Sequence, residues 1–104
     1  MSKKLKPIHP GEILREEYMI PLGLSSNALA RGLNVTAARI NEIVRERRGI
    51  SADTALRFAR YFKTDVQSWL NLQANYDLRC TEDAAGRSIN RIRPYTAERG
   101  VNSA

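Results

Sequence analysis

Residues Ser26–Arg45 read SNALARGLNVTAARINEIVR, and two short helices joined by a tight turn fit them. Ser25 has the chemistry of an N-cap for a first helix over SNALARG, with Leu29 turned inward and the small Ala30 where helices approach closely. Gly32-Leu33-Asn34-Val35 interrupts that run. Glycine costs a helix interior about 1 kcal/mol, and asparagine tolerates a left-handed backbone better than most residues. Thr36 suits the N-cap of a second helix over AARINEIVR, in which Ile40, Ile43 and Val44 share one face. Arg39, Asn41, Glu42 and Arg45 fall on the opposite, polar face. Such a pair with a short turn is a helix-turn-helix. A plain helical hairpin in an α-bundle has similar spacing. Two features favour the former: Ala30 and Ile40 take the fifth and fifteenth places of the unit, and the second helix leads into a cluster of arginines.

The 104 residues make one domain with a modest core. Charged residues at 27% and hydrophobic residues at 42% fit a folded, soluble chain. A formal charge of +6 and a pI near 10.0 favour a polyanionic partner such as nucleic acid. No apolar run reaches the length of a membrane span, and MSKKLKPIHP lacks the apolar core of a signal peptide. Cys80, the single cysteine, forms no internal disulfide and suits a reducing cytoplasm.

Outward from the central unit, the spacing predicts an all-α domain of five helices. Residues 1–7 form a basic arm, 8–80 the helix-turn-helix domain and 81–104 a C-terminal extension. His9-Pro10-Gly11-Glu12 opens a first helix striped by Ile13, Leu14 and Tyr18, which should stop before Pro21. Ser51 caps a fourth helix over ADTALRFARYF, where Ala55, Phe58, Ala59 and Phe62 repeat at core spacing, and Lys63 closes it. Thr64-Asp65-Val66-Gln67 has capping-box spacing for a fifth helix lined by Val66, Trp69, Leu70, Gln73 and Tyr76. That helix should end around Cys80–Asp83, with Gly86 as a stop. Ile89–Arg93 then reads either as an extended segment that pairs with a partner or as a basic tail, and residues 96–104 as a disordered end. Leu72 and Leu78 fall outside the main stripe, so with Ile89 and Ile92 they are candidates for a dimer or partner contact.

Catalysis has little to work with. His9, the lone histidine, sits beside Pro10 at a helix start, where capping or packing is its expected role. Cys80 has no neighbouring histidine or second cysteine, so neither a metal site nor a Cys-His nucleophile is supported. No phosphate-binding glycine loop occurs. The chain reads as a non-enzyme without cofactor or metal. For DNA, the N-terminal part of the second helix meets base edges, making Thr36, Ala37, Ala38, Arg39, Asn41 and Glu42 the readout candidates. Arg39 is the candidate for guanine, while Glu42 either accepts from cytosine or pairs with Arg39 or Arg45. Ser26 and Asn27 at a helix N-terminus, with Arg45, Arg47 and Arg48, are the phosphate candidates.

The segments IHPGEILREEYMIPLGLS (Ile8–Ser25), RRGISADTALRFARYF (Arg47–Phe62) and SWLNLQANYDL (Ser68–Leu78) resemble the HigA (VapI-type) antitoxins, and Ala30, Asn34, Ile40 and Ile43 resemble the helix-turn-helix of phage repressor and Cro proteins. The resemblance covers roughly residues 8–78. It implies a dimeric repressor-like domain that binds a palindromic operator on double-stranded DNA at its own promoter. It further implies a bacterial cytoplasmic protein that neutralises a HigB-type toxin, a ribonuclease that cuts mRNA. The basic arm, helix one and Gly86–Tyr95 are all open as toxin surfaces. A stand-alone regulator without a toxin is the alternative. Two departures stand out: Asn34 where glycine is commoner, and the early end expected for the fifth helix.

Overall fold

A computed structural model of the chain describes residues 6–97, and all of its regular elements are helical. The basic arm lies almost wholly outside those residues, as does most of the 96–104 end. Helix α1 covers residues 10–22, α2 Ser26–Leu33, α3 Ala37–Val44, α4 Ala52–Phe62 and α5 Val66–Asn90. These are the five expected helices.

At the start of helix α1, His9 does both of the things expected as alternatives for it, capping and packing. His9 Nδ1 accepts a 2.8 Å hydrogen bond from the Gly11 N–H, and Pro10 takes the first turn, where no N–H is missed. The helix does not stop before Pro21. It begins as α-helix over Pro10–Ile13, widens to π-helix over Leu14–Met19 and closes over Ile20–Leu22, with Gly23 left-handed at φ 66°. Proline has no N–H to donate and its ring presses on the carbonyl four residues back. The wider register, in which the Ile20 N–H reaches the Arg15 carbonyl, lets the helix continue.

Side chains from all five helices build the core. Leu14, Leu29, Ile40, Ile43, Ala55 and Phe58 are fully buried. Phe58 meets the Trp69 ring edge-on at 4.9 Å between centroids, and Tyr18 packs on Phe62 at 4.6 Å. Met19, Ile50 and Thr54 are buried as well, outside the stripes read from the sequence. Ile50 goes in because its loop is pinned: its N–H donates to Gln73 Oε1 at 2.7 Å.

Helix α5 departs most from expectation. Its N-cap is Asp65, whose carboxylate accepts from the Ser68 N–H (2.9 Å) and hydroxyl (3.1 Å). Thr64 is not the cap because its hydroxyl accepts from the Trp69 indole N–H at 2.8 Å. The helix also runs past Cys80 and Gly86 to Asn90, 25 residues, about 37 Å at 1.5 Å per residue. Gly86 does not stop it, Ile89 is helical rather than extended, and only the stretch from Arg91 leaves the helix. A glycine is tolerated where the flanking residues propagate the ladder at about 1 kcal/mol cost. Among the described residues no helix is long and apolar enough to cross a membrane.

Candidate nucleic-acid interface

Helices α2 and α3 are joined by a turn that breaks at Asn34, not at Gly32. Asn34 is left-handed (φ 59°, ψ 48°) and its N–H returns to the Ala30 and Arg31 carbonyls. Asparagine thus fills the glycine place, as its αL tolerance allows. Gly32 stays helical and has a packing role, because a Cβ there would strike the Tyr61 ring. Ser25 and Thr36 cap the two helices: their hydroxyls accept from Ala28 N (3.0 Å) and Arg39 N (3.1 Å).

Helix α3 buries Ile40 and Ile43 completely and leaves Thr36, Ala38, Glu42 and Arg45 exposed. Ala37, Asn41 and Val44 sit half-buried on its flank. The helix therefore presents its small and polar face outward. Its last turn is held from behind by α1. Gly11 lies so close to the Ile43 carbonyl that any Cβ would collide with it, and Arg15 Nη1 donates to the Val44 carbonyl at 2.7 Å. Arg15 also faces Glu46 at 3.6 Å.

The structure moves Arg39 off the outward line. It is half-buried at the side of α3, where Nη1 donates to Asp53 Oδ2 (2.8 Å) and Thr54 Oγ1 (3.3 Å) of α4. Glu42 approaches Arg48 at 3.5 Å rather than Arg39 or Arg45. Arg45 and Arg47 are exposed and make no ion pair among the described residues. Ser26 and Asn27 occupy the first turn of α2 beyond the Ser25 cap, where backbone N–H groups have no partner inside the helix. The structure thus brings Thr36, Ala38, Glu42, Arg45 and Arg48 together around one exposed helix face.

Several residues that shape this face were not singled out from sequence. Arg57 Nη1 donates to the Leu33 carbonyl (2.8 Å) and its Nε to Asp53 (2.9 Å), tying the end of α2 to α4. Arg57, and then Arg39, hold the Asp53 carboxyl below the usual carboxylate range. The i,i+4 spacing of Asp53 and Arg57 was a visible signal; their reach to α2 and α3 was not. The dimer candidates divide. Leu72 is half-buried and packs against the core, whereas Leu78, Ile89 and Ile92 are exposed.

Fold and exposed face define a helix-turn-helix protein, and the helix-turn-helix family model matches residues 15–69. Virulence-associated protein I of Dichelobacter nodosus is 59% identical over 97 residues, covering 93% of this chain and 89% of the relative. The Pseudomonas aeruginosa antitoxin HigA, solved with the higBA promoter, is 52% identical with a TM-score of 0.84, covering 86% of this chain and 99% of that one. Antitoxin GraA in complex with its operator is 45% identical with a TM-score of 0.83, covering 93% and 99%. The chain belongs to the HigA (VapI-type) antitoxin family.

Proposed function

We propose that this chain is the antitoxin of a type II toxin–antitoxin module, a homodimeric autorepressor that binds a palindromic operator at its own promoter and neutralises a HigB-type mRNA-cleaving toxin. The observation that carries the DNA-binding part is the outward face of α3. Its apolar side is sealed in the core and its Thr36, Ala38, Glu42 and Arg45 side stands clear of it, with Asn41 half-buried on the flank. Ala37 and Ala38 are small enough to let the helix enter a major groove, and Arg39 reaches bases from its flank. Ser26 and Asn27 N–H groups with Arg45, Arg47 and Arg48 contact phosphates. The related HigA and GraA structures, solved with promoter and operator DNA, support this reading.

One recognition helix reads a half-site, so a palindrome calls for two copies about one helical turn apart. Exposed Leu78, Ile89 and Ile92 on or just beyond the distal half of α5 supply apolar surface for that contact. Leu72 supports the base of α5 from inside. The toxin part rests on membership of the antitoxin family.

Gel shifts with the chain's own promoter test the proposal. Arg39→Ala should cost about 1–3 kcal/mol and relax preference at one base position. Unchanged affinity and preference would remove Arg39 from base reading, and a promoter fragment bound no better than random duplex would remove the autorepressor. Leu78→Asp with Ile89→Asp should shift the sedimenting species toward monomer. Co-expression with a neighbouring toxin gene should yield a copurifying pair, and its absence would leave a solitary regulator.

A further inference from the structure

Arg39 and Asp53 stand fourteen residues apart in sequence and 2.8 Å apart in space, across the junction of α3 and α4. We infer that Asp53 is a positioning residue for base recognition. It fixes one edge of the Arg39 guanidinium so that the opposite edge meets the base, and thereby sets the preference at that position. The inference rests on the base-reading role of Arg39 proposed above.

The geometry is that of a braced arginine. Arg39 Nη1 is occupied by Asp53 Oδ2 and by the Thr54 hydroxyl, and Thr54 is itself buried. Arg39 Nε and Nη2 make no hydrogen bond among the described residues, leaving a two-donor edge of the kind that matches guanine O6 and N7. The brace is in turn held. Asp53 accepts from Arg57 Nε at 2.9 Å and Nη2 at 3.4 Å, while Arg57 Nη1 is anchored on the Leu33 carbonyl at the end of α2. A continuous set of contacts thus runs from the turn of the helix-turn-helix through α4 to Arg39.

A surface ion pair of i,i+4 spacing adds little on its own, which accounts for Asp53–Arg57 but not for the reach to Arg39. An acidic side chain beside phosphates opposes DNA binding unless it is neutralised, and here two guanidiniums share one carboxylate. Asp53 is therefore suited to direct Arg39 rather than to add attraction. A long arginine left free would sample many rotamers and accept several bases. Ordering it during folding favours the one base that fits.

Competition binding to the operator and to operators altered one base pair at a time tests this, with salt series on each variant. Asp53→Asn should lose discrimination at the Arg39 position by about three- to tenfold. Its binding to random duplex should be unchanged or tighter, because a negative charge has gone. Adding Asp53→Asn to Arg39→Ala should cost no further discrimination, and Asp53→Glu should restore part of it. Wild-type discrimination in Asp53→Asn, or an equal loss on every sequence, overturns the inference. If Arg39→Ala itself keeps full discrimination, the base-reading role fails first, an outcome distinct from failure of the brace alone. The Asp53 side chain is 54% exposed, so the asparagine variant should melt like the parent.

Discussion

Arg15 of the first helix donates a 2.7 Å hydrogen bond to the carbonyl of Val44, in the last turn of α3. That carbonyl belongs to a helix end where no backbone donor is available and where the dipole favours a cation. The exposed helix is thus held at its rear by α1 and beside its front by α4. Arg15→Ala should lower stability by about 1–2 kcal/mol in urea denaturation and weaken binding to every operator variant alike. A variant with parental stability would show that the contact does not brace the helix.

Arg47 makes no ion pair among the described residues and lies on the loop just past α3. Its expected partner is a phosphate. Arg47→Ala should weaken binding to all sequences and flatten the plot of log affinity against log salt by about one unit. A slope equal to the parent's would place Arg47 outside the phosphate contacts.

Acid should loosen the first helix through His9. The ring caps α1 only with Nδ1 unprotonated, and it meets Tyr76 edge-on at 4.7 Å between centroids. Burial pushes its pKa below the ordinary 6.5, while Glu46 and Asp77 partly oppose that shift. Below pH 6.5 the unfolded chain therefore takes up a proton that the folded chain refuses. The contribution is complete above pH 6.5 and is lost as pH falls toward the folded pKa, at no more than about 1.4 kcal/mol per unit. His9→Asn keeps a capping oxygen and cannot titrate, so its stability profile between pH 5 and 7 should be flatter. An equal slope in both proteins would assign the acid sensitivity elsewhere.

Asn34 holds the turn in a left-handed conformation. Asn34→Ala should destabilise by about 1 kcal/mol, whereas Asn34→Gly should be close to neutral. Thermal melts of the two variants distinguish this from a side-chain contact, which both would lose.

Much of the fold was legible because the signals are local. Ser25, Thr36 and Ser51 cap the helices they precede, and all three accept from the N–H three residues on. Ile40, Ile43, Ala55 and Phe58 are buried as their spacing required. Pro21 and Gly86 misled for one reason: a residue that disfavours a helix in isolation is overruled where neighbours carry the helix through it, by π widening in one case and by ladder propagation in the other.

From the order of its residues alone, the chain shows that there are five helices, where most of them begin, which faces turn inward and that the second helix of the central pair has a polar outer side, but not where the first and fifth helices end. Those outcomes depend on contacts within about four residues and on burial of apolar stripes. The direction of Arg39 was decided only in three dimensions. A long side chain follows whichever partner folding brings within reach, and Asp53, Arg57 and the Arg15–Val44 contact became partners of this surface only once α1 and α4 had packed against the central pair.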